Sequence, residues 1–60
     1  MKIKQKILIV DDKRENIIAL EELLIDVFDV EILNALSGND AIKKALLNDL
    51  DLILMGDLLH

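Results

Sequence analysis

Three apolar runs of strand length, separated by two segments of helix length, constrain this chain more than any other feature. The runs are residues 7–10 (ILIV), Val30–Ala35 and Leu52–Met55. The first run is continuous and β-branched, which favours a strand buried on both faces, as in a parallel sheet. Strands that alternate with helices predict right-handed crossovers and an α/β fold with helices on both faces of the sheet.

The two connecting segments have helical patterns. Between Arg14 and Val27, apolar residues recur every three or four positions and predict a buried stripe of Ile17, Leu20, Leu23, Leu24 and Val27. In the second segment Ser37 is the predicted N-cap, and Asp40 completes a shortened capping box. The apolar stripe predicted after it consists of Ala41, Ile42, Ala45 and Leu46. The predicted element order is therefore β-α-β-α-β.

Composition limits the classes of protein that remain. Sixty residues make one small domain of marginal stability, and without cysteine it has no disulfide or thiolate metal site. A single histidine, His60, excludes a multi-histidine zinc site. A net charge of −5 and one aromatic residue argue against a nucleic-acid partner. No apolar run approaches the length of a membrane span or a signal peptide core, so we expect no membrane partner and a cytoplasmic location.

The candidate functional residues follow the predicted strands. Asp11 and Asp12 end the first strand, and Gly56 and Asp57 end the third. Functional groups in parallel α/β sheets gather at these carboxyl ends. On its own, an acidic pair before a helix is also explained by the favourable effect of the helix dipole on acids at its N-terminus.

Three segments together resemble the receiver domain of two-component response regulators. They are residues 7–12 (ILIVDD) followed by Asn16, residues 35–41 (ALSGNDA) and residues 51–55 (DLILM). Residues 10–16 (VDDKREN) are especially similar to receivers attached to sensor kinases. The resemblance covers residues 1–60 without a gap, and it corresponds to about the first half of a five-stranded receiver. It implies a truncated or degenerate receiver domain, half of a flavodoxin-like fold, with parallel strands in the order 2-1-3.

The resemblance also implies a chemical site. Asp11 and Asp12 match the acidic pair that binds Mg²⁺ in the family, and the backbone carbonyl of Leu58 matches its remaining protein ligand. The phosphorylated aspartate falls at position 56, where this chain has glycine. Asp57 would replace it only if the strand slipped or bulged by one residue. We therefore expect a phosphorelay module with no catalytic residue and no enzymatic activity, whose implied partner is a histidine kinase or phosphotransfer protein.

Two alternatives from other functional classes remain open. The first is a structural half-domain that self-associates through the uncharged edge of the third strand, Leu52–Met55, and takes no part in phosphorelay. The second is a small enzyme that uses Asp11, Asp12 and Asp57 for metal-dependent hydrolysis of phosphate esters. An exposed apolar edge favours the first alternative, and the three acids are the only feature that favours the second.

Overall fold

A parallel sheet of three strands lies between two helices in the computed structural model, which describes residues 4–56. The elements in chain order are β1 (Gln5–Val10), α1 (Arg14–Val27), β2 (Val30–Ala35), α2 (Gly38–Leu47) and β3 (Leu52–Met55). The strand order is β2-β1-β3, and both pairings are parallel. The predicted α/β class and the order 2-1-3 are therefore confirmed, and the architecture is consistent with half of a flavodoxin-like fold.

β1 is the centre of the core. Its side chains alternate between the two faces of the sheet. Ile7 and Ile9 pack on the face covered by α1, and Leu8 and Val10 pack on the face covered by α2. Leu8, Ile9 and Val10 have no exposed surface, as predicted for a strand buried on both faces. β1 begins at Gln5, two residues earlier than the apolar run, because the backbone pairing with β2 continues past the apolar residues.

α1 buries a narrower stripe than the sequence pattern predicts. Ile17 is buried, and Leu20 and Leu24 pack against the same cluster. Leu23 and Val27 are exposed, so their prediction as core residues is wrong. A sheet of three strands offers a helix one narrow contact surface, and residues on the flanks of the stripe do not reach it. Neither helix described between residues 4 and 56 has the length and apolar character needed to cross a membrane.

The start of α2 confirms the predicted N-cap. The Ser37 hydroxyl accepts a hydrogen bond from the Asp40 backbone N–H, with 3.1 Å between the heavy atoms. The Asp40 carboxylate lies 3.3 Å from the Lys44 ammonium group, which also donates to the Asn34 carbonyl of β2. Lys44 therefore connects α2 to β2 of the sheet.

Only one residue of the predicted apolar stripe of α2 packs against the core. Ala41 packs on the core cluster of its face, whereas Ile42, Ala45 and Leu46 are exposed. The prediction that all four side chains pack on the sheet is wrong for these three. The α2 side of the sheet ends at β3, and no other described element covers this flank of the helix.

Asp51, the residue before β3, joins the start of β3 to β1. The Asp51 backbone N–H donates to the Lys6 carbonyl at 2.9 Å, and the Asp51 carboxylate accepts from the Lys6 backbone N–H at 2.8 Å. This reciprocal pair sets the start of the register in which Ile7 lies beside Leu52. The sequence alone indicated only a polar break at this point.

We expect Asp51→Ala to lower the free energy of unfolding by about 1 kcal/mol, because it removes a charged acceptor from a backbone N–H at an exposed position. Such a loss corresponds to a decrease in Tm of about 4–8 °C in a domain of this size. Asp49→Ala, at a nearby exposed acid, is the matched control and should have little effect. Equal losses in the two variants, measured by urea denaturation, would contradict this role for Asp51.

Candidate functional site at the carboxyl edge of the sheet

The carboxyl ends of all three strands meet around Asp11. The Asp11 backbone N–H donates to the carbonyl of Ala35, the last residue of β2, at 3.1 Å. The Gly56 backbone N–H donates to the carbonyl of Val10, the last residue of β1, at 2.7 Å. These bonds continue the sheet pairing by one residue beyond the strands, so the positions of Asp11 and Gly56 are fixed by the backbone.

The Asp11 side chain is buried and hydrogen-bonded. It is only 2% exposed. Its Oδ1 accepts from the Lys13 backbone N–H at 2.9 Å, and its Oδ2 accepts from the Asn16 side-chain amide at 3.1 Å. The bond to the N–H two residues ahead is an Asx-turn, which holds the chain in the bend that leads into α1. Lys13, the N-cap residue of α1, makes no side-chain cap of its own, so Asp11 and Asn16 stabilise this helix start.

Gly56 faces the Asp11 carboxylate directly. A Cβ atom placed on Gly56 would lie 2.1 Å from Asp11 Oδ2 and 2.8 Å from Asp11 Cγ. Both distances are far below van der Waals contact. Any side chain at position 56 would therefore displace the Asp11 carboxylate from its hydrogen bonds. The glycine is required here because of space, and its φ angle is not in the left-handed region.

The two members of the acidic pair have different environments. Asp11 points into the protein, and Asp12 is exposed to solvent. β3 keeps its register with β1 up to the pairing of Val10 with Met55, so the described part of the strand contains no slip. Asp57 and the Leu58 carbonyl lie outside the described residues, and their predicted roles stay predictions.

The described residues do not fit the Mg²⁺ site that the resemblance implies. Both Asp11 oxygens accept hydrogen bonds within the protein, Asp12 faces solvent, and Gly56 contributes no oxygen from a side chain. No group of three or more acidic, histidine or cysteine residues in the described part of the chain could hold a metal ion. Mg²⁺ prefers octahedral coordination by oxygen. A metal ion here would share the Asp11 carboxylate with the hydrogen bonds from Lys13 and Asn16.

Sequence reasoning missed the roles of Lys13 and Asn16. Asn16 was part of the resemblance, but no function followed from it. A signal was present, because an aspartate two residues before the N-cap of a helix often accepts a hydrogen bond from the N–H of the residue at i+2. An asparagine in the first turn of the helix is then close enough to reach the same carboxylate.

Comparisons with known proteins found no relative of this chain. No protein-family model matches the chain, and the searches of curated proteins and of solved structures found no similar protein. Any functional conclusion therefore depends on the residues at the carboxyl edge of the sheet and on the fold that positions them.

We expect Gly56→Ala to lower the free energy of unfolding by about 1–3 kcal/mol, the usual effect of overpacking a fitted site. In an Asp11→Ala background the same substitution should be tolerated better, because Asp11 Oδ2 and Cγ, the two nearest atoms to a Cβ at position 56, are removed and only the Cβ of residue 11, at 3.2 Å, remains. A double-mutant cycle by chemical denaturation measures the coupling between the two positions.

Gly38→Ala is the matched control for this cycle. A Cβ on Gly38 meets no atom within 4 Å, so the substitution should be neutral or slightly stabilising. Additive effects of Gly56→Ala and Asp11→Ala would contradict the contact between the two positions.

Proposed function

We propose that this chain is a cytoplasmic receiver-like module of two-component signalling that does not accept a phosphoryl group. The sequence resemblance and the parallel sheet in the order β2-β1-β3 support this proposal. So does the position of the buried Asp11 at the carboxyl end of the central strand, where α/β sheets carry their functional groups. On this proposal the chain has no metabolic enzyme activity.

One observation carries the proposal: the side-chain direction at position 56 points at Asp11. In the family that the chain resembles, the acceptor aspartate on the third strand faces the acidic pair that follows the first. In this structure the Cα–Cβ direction at position 56, after the third strand, points at Asp11, after the first. This direction supports the proposal of a receiver scaffold that has no acceptor side chain at position 56.

Loss of phosphoryl acceptance follows from the chemistry of the transfer. A carboxylate oxygen must attack phosphorus while the bond from phosphorus to the donor breaks, and the donor leaves with the bonding electrons. Gly56 has no such oxygen. Asp11 is a poor replacement, because its side chain is buried away from a donor and both of its oxygens accept hydrogen bonds, which lowers their nucleophilicity.

The partner class is tested by binding. We expect the phosphotransfer domains of histidine kinases from the source organism to perturb the NMR amide signals of Asp12, Lys13 and Gly56. These residues lie around the carboxyl edge of the sheet, whereas exposed Leu23 on α1 serves as a signal that should not move. Perturbation confined to the outer face of α1, or none with any kinase, would contradict a receiver role.

Turnover of a generic phosphate ester, abolished in Asp12→Asn, would favour the hydrolase alternative.

We expect Gly56→Asp to leave phosphorylation by acetyl phosphate inefficient. The new side chain would collide with Asp11, and two carboxylates about 4 Å apart repel by about 4 kcal/mol at an effective dielectric constant of 20. In the family that the chain resembles, a hydroxyl group on the fourth strand and a lysine on the fifth also stabilise the phosphoryl oxygens, and residues 1–60 correspond to the first three strands. Intact-mass spectrometry gives the result, with the parent chain as control. Stoichiometric phosphorylation of the Gly56→Asp chain would show that the half-domain is sufficient for acceptance.

We expect Mg²⁺ to bind more weakly than about 1 mM, because ligand number and ligand charge set the affinity of oxygen sites for hard cations. An NMR titration that follows the amides of Asp12 and Gly56 measures this affinity, and Ca²⁺ is a suitable comparison ion. Sub-millimolar binding that disappears in Asp12→Asn would contradict the expectation and would point to Asp57 as an additional ligand.

A further inference from the structure

The burial of the Asp11 carboxylate at the carboxyl edge of the sheet has to be compensated. Asp11 is only 2% exposed, and a carboxylate withdrawn from water is costly unless positive charge or hydrogen-bond donors face it. In the family that the chain resembles, a divalent cation supplies positive charge at this edge. In this structure, the start of α1 presents donors to the same carboxylate.

The helix geometry fixes both of these donors. The Lys13 backbone N–H donates to Asp11 Oδ1, and the Asn16 side-chain amide donates to Asp11 Oδ2. The Asn16 backbone N–H donates to the Lys13 carbonyl at 3.1 Å, which holds Asn16 three residues beyond the N-cap of α1. The N-terminus of a helix also carries partial positive charge, which favours an acid beside it. These groups therefore stabilise the charge of Asp11 as a cation would.

We propose that the start of α1 takes the place of the divalent cation at this edge, and that Asn16 is the positioning residue responsible. A backbone N–H such as that of Lys13 is present at every helix start, whereas the side-chain amide at position 16 is a feature of this sequence. The site consequently keeps one conformation with or without Mg²⁺. This inference rests on the contacts of Asp11 and holds whether or not the chain binds a phosphotransfer domain.

The amount of buried charge at this edge is small enough for hydrogen-bond donors to stabilise. Asp11 is the only buried charged residue in the part of the chain that the structure describes. Asp12 is exposed, so water solvates its carboxylate. Position 56 points at Asp11 but adds no charge, because it is glycine. A cation is needed where several carboxylates crowd into one site, and here one carboxylate is buried against two donors.

Thermal unfolding of the full 60-residue chain measures its dependence on cations. A site with a Kd of about 1 mM would raise Tm by about 5–10 °C at about 10 mM Mg²⁺. We expect the Tm of the parent chain to differ by less than about 2 °C between excess EDTA and the same concentration of Mg²⁺ or Ca²⁺. Ionic strength is matched with NaCl, because a chain with a net charge of −5 responds to salt in general.

Asn16→Asp turns the donor into a second carboxylate and should make the site depend on a cation. The Asn16 amide nitrogen lies 3.1 Å from Asp11 Oδ2, so an oxygen in its place would repel Asp11. We expect Tm to fall by about 5 °C or more in EDTA and to recover most of this loss with Mg²⁺ or Ca²⁺, for which Asp11, Asp12 and the new carboxylate are suitable ligands. Asn39→Asp makes the same change at an exposed position in the first turn of α2. It is the matched control and should show neither the loss nor the recovery.

An exchange of the two side chains keeps the test decisive if Asn16→Asp does not fold. Asp11→Asn combined with Asn16→Asp again pairs one carboxylate with one amide, so this double variant should be more stable in EDTA than Asn16→Asp and insensitive to cations. Hydrogen exchange of the Lys13 amide gives a local signal: slow in the parent, fast in Asn16→Asp in EDTA, and slow again after the cation is added. A parent Tm that rises by about 5 °C or more with Mg²⁺ would overturn the proposal. So would an Asn16→Asp chain as stable as the parent in EDTA, or a loss that neither the cation nor the exchange restores.

Discussion

The fold depends on one strand being enclosed on four sides. β1 pairs with β2 along one edge and with β3 along the other, while α1 and α2 cover its two faces. Residues 7–10 account for most of the buried apolar side chains in the described part of the chain. A small domain buries a limited fraction of its surface, so concentrating that burial in one central strand is an efficient arrangement. The remaining elements bury much less: Ile17 of α1 and Val30 and Ala35 of β2 are buried, whereas α2 and β3 contain no buried residue.

This arrangement explains which sequence predictions are right. The apolar run of β1 allows only one environment, and the strand that follows each helix must return to the same sheet. Element type and parallel direction were therefore predictable from the pattern, and the order 2-1-3 was predicted from the resemblance to receiver domains. The predicted apolar stripes of α1 and α2 include more residues than the sheet covers. Hydrophobic periodicity shows which residues of a helix are apolar, but it carries no information on the width of the sheet that the helix packs against. Leu23 and Val27 of α1, and Ile42 and Leu46 of α2, are apolar residues for which three strands provide no partner.

The site was predictable in position but not in detail. Asp11 and Gly56 were placed at neighbouring strand ends from the sequence, because parallel strands end at the same edge. Their contact was not predictable, since it depends on the rotamer of Asp11, and that rotamer is set by the hydrogen bonds from Lys13 and Asn16. The different burial of Asp11 and Asp12 has the same origin. One side chain enters the Asx-turn at the start of α1, and the next residue must then point outward.

The absence of a side chain at Gly56 also lowers the energetic cost of burying the Asp11 carboxylate. A second carboxylate beside Asp11 would add charge repulsion in a partly desolvated site, and a bound cation would be needed to offset it. With glycine at position 56, the Asp11 carboxylate instead fills the space of the absent side chain and stabilises the entry to α1. In a chain with so small a core, glycine at position 56 lets the buried Asp11 carboxylate keep its hydrogen bonds from Lys13 and Asn16, and these bonds stabilise the start of α1.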